Sequence, residues 1–170
     1  MLKKLLIVVL GVLILSTCSN ENLEKEIKSS ETIEPKIPNI VIIYADDLGY
    51  GDISANGATE INTPNIDYLA NNGMRFTDGF SSSATCTPSR YALLTGVYPW
   101  KNKRAKILGG NAPLIIDTAL LTMPRWLNEN GYYTGIVGKW HLGLGNGKVN
   151  WNEKITPGPN EVGFNFISLQ

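Results

Sequence analysis

Five side chains able to do chemistry stand in three short groups along this sequence. Asp46 and Asp47 are neighbours in "NIVIIYADD", Cys86 lies in "ATCTPSRYALLTG" just ahead of Arg90, and Lys139 and His141 close "GIVGKWH". Two adjacent carboxylates repel, and a hard divalent cation with oxygen ligands relieves that repulsion. The same pair after a strand also serves as a plain turn or helix cap. Cys86 has a threonine on either side and precedes a helix start, where backbone N–H groups favour anions. That setting suits a nucleophilic thiol with His141 as its base. A small buried hydrophobe is the plainer reading of an unpaired cysteine. His141 is the only histidine in the chain, and a single histidine is often structural. The basic run Lys101–Lys106 reads as a surface loop, with steering of anions as a further role.

The elements that must bring these groups together are written in the punctuation of the chain. "NIVIIYADD" is an unbroken apolar, β-branched run, as expected of a strand covered on both faces. "TPNIDYLANNG" places Thr63 as N-cap, Pro64 at the first helical position and Gly73 as the stop. "MRFTDGF" predicts a second strand, and "TPSRYALLTG" a short helix from Pro88 to Gly96. Thr122 to Asn130 repeats the pattern of cap and proline, and "YYTGIVGK" predicts a third strand. Periodicity is weak from Asn150 to Gln170, where no closing helix or strand is expected. Alternating strands and helices imply an α/β fold, a mostly parallel sheet flanked by helices. Ligands in such folds bind beyond the carboxyl ends of the strands, where all three groups would meet.

The chain has 170 residues, with 15 basic and 15 acidic side chains. That length fits one ordinary domain, and the balanced charge gives no argument for nucleic acid as a partner. Residues 1–17 read as a signal peptide: Lys3 and Lys4 precede an apolar run, Leu5–Leu15, too short to span a bilayer comfortably. "LSTC" resembles a bacterial lipoprotein cleavage box in which Cys18 becomes the lipidated N-terminus. An ordinary signal with an incidental cysteine is the alternative. The polar stretch 18–38 reads as a tether, leaving 39–170 as the folded region. The expected location is the bacterial periplasm or cell surface, with a lipid anchor in the membrane.

Taken together, the motifs resemble a known family. "CTPSRYALLTG" is similar to the C-x-P-S-R signature of the type I sulfatases, in the alkaline-phosphatase superfamily. "GYYTGIVGKWHLG" resembles their second signature, "PNIVIIYADDLGYGD" their opening strand and metal site, and "TPNIDYLANNGMRFTDGF" the stretch between. The resemblance implies that a separate maturation enzyme oxidises Cys86 to Cα-formylglycine, an aldehyde, with Pro88 and Arg90 in the recognition element. Hydrated, the aldehyde carries two hydroxyls; one attacks the sulfur of a sulfate ester and the other expels sulfate. It further implies that Asp46, Asp47 and the modified Cys86 ligate a calcium ion, and that Arg90 orients the modified residue. Lys139 and His141 would contact its hydroxyls, His141 taking the proton. Substrates implied are sulfated carbohydrates or aryl sulfates.

The family's site is completed by residues further along, and its members are much longer. The sequence is therefore expected to be the N-terminal portion of a sulfatase domain, an incomplete fold that by itself is inactive and poorly soluble. Two other functions stay open on the motifs: a phosphonate or phosphodiester hydrolase of the same superfamily, and a non-catalytic lipoprotein remnant that binds glycans.

Overall fold

The computed structural model describes residues 37–169. The expected signal peptide, the Cys18 anchor and most of the tether lie outside the described residues. The chain divides into two units, residues 1–44 and 45–170. In the first, residues 37–44 form neither helix nor strand. Ile40 and Ile42 are about half exposed and Val41 and Ile43 more than four-fifths exposed. The strand expected here is therefore not formed. A strand exists only through its ladder, and this run has no ladder partner among the described residues of its unit.

The second unit begins with two single 3-10 turns, Tyr50–Asp52 and Ser54–Asn56, followed by helix α1, Pro64–Asn72. Pro64 stands at the start of α1 as expected, and the Gly73 N–H closes its end on the Leu69 carbonyl. Helix α2 spans Cys86–Thr95, beginning two residues before the expected Pro88. A proline is accommodated anywhere in a first turn, because those N–H groups have no helical partner. Gly96, at φ +66°, ends α2 in the left-handed region that glycine enters without strain. The second expected strand, Met74–Phe80, is instead a run of turns and coil. Helix α3, Met123–Glu129, starts at Thr122, whose Oγ1 accepts the Arg125 N–H.

Strand β1, Gly135–Gly138, is the one expected strand that forms. Its partner arises where none was expected: helix α4, Pro159–Val162, leads into strand β2, Phe166–Leu169. The two strands run parallel, with Gly135 opposite Phe166 and Gly138 opposite Leu169. The described part of the fold is thus a small parallel sheet with helices, α/β as anticipated.

The core lies beside this pair. Tyr91 and Leu94 of α2 join Leu114, Ile115 and Ile116, Trp140 and Leu142, and Val162 and Phe164. Trp140 meets Phe164 edge to face, centroids 6.4 Å apart. After β1 the backbone runs against residues 112–115 in a ribbon-like exchange, with Ile115 N bonded to Leu142 O and Leu144 N to Ala112 O. The approach is so close that a Cβ at Gly143 (φ +79°) would stand 2.0 Å from the Pro113 carbonyl oxygen.

Candidate active site

Asp46 is the hub of a four-residue cluster. Its Oδ2 lies 2.6 Å from Lys139 Nζ and its Oδ1 3.2 Å from Arg90 Nη2. Lys139 Nζ also donates to Cys86 Sγ at 3.3 Å, and Arg90 Nη1 to the Lys139 carbonyl at 2.7 Å. Each residue arrives by a different local device. Cys86 opens α2, and Arg90, one turn on, shares its face. Lys139 is delivered by the end of β1, where Gly138 turns at φ +104°. Asp46 stands just before a reversal at Asp47, which has φ +57°.

The electrostatics follow from two cations around one carboxylate. Lys139 above all holds the Asp46 carboxyl down to about 2; desolvation opposes it, and Arg90 and the Cys86 thiol add to the lowering. In return Asp46 first, and Cys86 second, push the Lys139 ammonium above its ordinary value. Lys139 is therefore a permanent donor near neutral pH. With one negative and two positive side chains the cluster attracts anions.

His141 enters by its backbone. Thr87 Oγ1, in the same first turn as Cys86, donates to the His141 carbonyl at 2.8 Å. The ring Nε2 lies 3.0 Å from the Leu108 carbonyl. A carbonyl only accepts, so Nε2 carries a proton, and in the neutral ring the lone pair sits on Nδ1. That Nδ1 is buried and has no hydrogen-bond partner among the described residues.

Four of the expected site residues, Asp46, Cys86, Arg90 and Lys139, are thus in direct contact. The Asp47 side chain and the His141 ring join none of those contacts. The groups also do not meet at three strand ends, since only the pair Lys139 and His141 follows a strand. Thr87 and Leu108 were not singled out from sequence. Thr87 is 0 % exposed, and a hydroxyl in that position needs a buried partner. A leucine carbonyl leaves no trace in residue type.

Calcium takes about six to eight oxygen ligands. Asp46 and Asp47 offer donors of the right kind, but both Asp46 oxygens are engaged by cations. Among the described residues no group of three or more His, Cys, Asp or Glu is placed to hold a metal. The pair fits part of a calcium shell, not a whole one.

Comparison with known proteins identifies the class. The profile of the Sulfatase family matches residues 38–165, and the chain belongs to that family. It is 48% identical over 157 residues to an N-acetylgalactosamine-6-O-sulfatase of Bacteroides thetaiotaomicron, covering 92% of this chain and 30% of that protein. It is 46% identical over 109 residues to human arylsulfatase A, covering 64% of this chain and 22% of that protein. A solved structure described with the metabolism of multiple glycosaminoglycans by Bacteroides thetaiotaomicron superposes with a TM-score of 0.77 at 53% identity. That match covers 78% of this chain and 28% of the solved one. The chain therefore spans under a third of the length of these relatives.

Proposed function

We propose that the protein is a sulfuric ester hydrolase that removes sulfate from sulfated glycans, with Cys86 as the precursor of its nucleophile. The carrying observation is the contact of Cys86 with Lys139, itself paired to Asp46, inside the two signature motifs. The relatives' names point to an amino-sugar 6-sulfate as the first substrate to try.

In this reading Arg90 and Lys139 draw in the sulfate group, whose oxygens they meet with charge-assisted hydrogen bonds. Asp46 keeps Lys139 protonated and aimed at position 86. Thr87 anchors the His141 backbone and the Leu108 carbonyl holds ring Nε2, so Nδ1 is the ring atom left to receive a proton. Oxidised to formylglycine by a maturation enzyme, Cys86 would supply a hydrated carbon with two hydroxyls, which divides one difficult displacement into two easier steps. Asp46 and Asp47 would contribute to holding calcium, which supplies Lewis-acid stabilisation of charge at the sulfate oxygens. Residues 1–17 would direct export, Cys18 would carry the lipid anchor, and 39–170 would form part of the catalytic domain.

The test is a pair of measurements on the complete protein. Mass spectrometry of the peptide around Cys86 should find the aldehyde, lighter than the thiol. Release of sulfate from an N-acetylgalactosamine 6-sulfate oligosaccharide should vanish in Cys86→Ala. Sulfatase activity retained by that variant refutes the nucleophile. Preferred turnover of a phosphodiester would move the protein to its phosphorus-cleaving relatives, and binding without turnover would make it a non-catalytic glycan binder.

A further inference from the structure

The loop from Tyr98 to Leu108 carries a surface that the proposed chemistry does not use. Tyr98 and Trp100 stack on each other, centroids 4.1 Å apart and planes within 15°. They remain 54% and 69% exposed, so each ring hides one face and offers the other to solvent. Immediately after them come Lys101, Lys103, Arg104 and Lys106, all exposed. None forms an ion pair, since both ion pairs among the described residues belong to Asp46. The sequence has no carboxylate between Asp78 and Asp117, so the loop carries no negative charge of its own.

The patch is built rather than loose. Pro99 and Ala105 are buried beneath it. Arg104 Nη2 and Asn102 Nδ2 both donate to the Ile115 carbonyl, at 3.2 and 3.4 Å, tying the loop to the core. Short backbone turns, Lys101 N to Tyr98 O and Ala105 N to Asn102 O, set its shape. A surface ordered in advance loses less entropy when a ligand arrives. The same loop ends at Leu108, whose carbonyl holds the His141 ring. The patch and the His141 ring are thus joined through one short segment.

We propose that this loop is a binding surface for the chain of a sulfated glycan, outside the position where sulfate is cleaved. Aromatic faces suit the C–H face of a sugar ring, and the unpaired cations suit sulfate or carboxylate groups along the polymer. A sulfated glycan brings the counter-charge that the loop itself lacks. The choice of a sulfated sugar rests on the function proposed above; the binding surface itself does not.

The experiment uses the complete protein carrying Cys86→Ala, so that nothing is turned over. Binding of a chondroitin 6-sulfate oligosaccharide is measured beside its desulfated counterpart and an oligothymidylate of equal charge. Trp100→Ala should weaken sulfated-glycan binding roughly tenfold, the usual loss for an aromatic anchor. Lys101→Ser/Lys103→Ser/Lys106→Ser should weaken it at least as much and flatten its salt dependence. With Cys86 restored, both variants should cleave a small aryl sulfate with unchanged kcat while KM for the polymer rises. Unaltered glycan affinity in both variants overturns the proposal even if hydrolysis stands. Equal or tighter binding of oligothymidylate overturns the choice of glycan. Trp100-dependent binding in a protein that hydrolyses no sulfate ester upholds the surface and removes the proposed activity instead.

Discussion

Within residues 45–169 the chain holds itself together in two different ways. From Ala45 to Cys86 no residue is buried, whereas from Thr87 onward every core residue appears. The earlier stretch relies on polar stitching: Ser54 N bonds to Thr63 Oγ1 and Thr63 N to Ser54 Oγ, each at 2.9 Å. Both hydroxyls then donate to the two carboxylate oxygens of Asp67. The later stretch relies on Leu142, Val162, Ile115 and their neighbours, closed away from water. The candidate site lies on the seam. Asp46 comes from the unpacked side, Arg90 and Lys139 from the packed side, and Cys86 from the last residue before the core begins. The two ion pairs of Asp46 are thus also a clasp between the two kinds of structure.

The largest effect should come from the packed side. Leu142→Ala should cost about 2–5 kcal/mol, the range for a core leucine with incomplete collapse; a urea midpoint barely moved would deny that this core supports the fold. Thr87→Val should cost about 1–3 kcal/mol by leaving the partly buried His141 carbonyl without its donor. The same variant should disturb the ring, which is readable because the chain has one histidine. In the parent protein, 15N spectra of the neutral ring should show the proton on Nε2 and not on Nδ1. The reverse tautomer would contradict the Leu108 contact.

Smaller effects belong to the stitching. Asp67→Asn should cost about 1 kcal/mol and speed hydrogen exchange in α1 without touching the core amides. Glu161 gives a pH signature. Burial raises its carboxyl, but acceptance of the Gly158 N–H at 2.6 Å and the Thr156 hydroxyl wins, so the net shift is downward. Its stabilisation is complete above the unfolded carboxyl range and is lost as pH falls through the lower folded value. The stability gap between the parent and Glu161→Gln should therefore close only in acid. Smallest of all, Phe76→Ala, at a residue 74% exposed, should stay within about 0.5 kcal/mol.

Local signals were the legible ones. Pro64 and Gly73, the turn at Gly96, and Thr122 before Pro124 mark helix ends because caps and stops are decided within a few residues. Strands were read unevenly. The sequences of 39–44 and 74–80 have strand character but no ladder partner among the described residues. β2 has little periodicity and forms because β1, some thirty residues earlier, offers a register. In the site, five side chains were expected to meet. Asp46, Cys86 and Lys139 do, the Asp47 side chain and the His141 ring do not, and Arg90 was expected only from the family resemblance. The ion pairs that engage Asp46 were not legible, nor was the Leu108 carbonyl, since a backbone acceptor has no residue-type signature.

Gly143 has a practical consequence for anyone mutating this protein. It bears no functional group and touches no substrate in any scheme above, yet the Pro113 carbonyl occupies the space any other residue would need. A saturation library of the complete protein, screened for folded product, should return an empty column at that codon. Its intolerance would mimic that of a reactive side chain while arising from crowding alone.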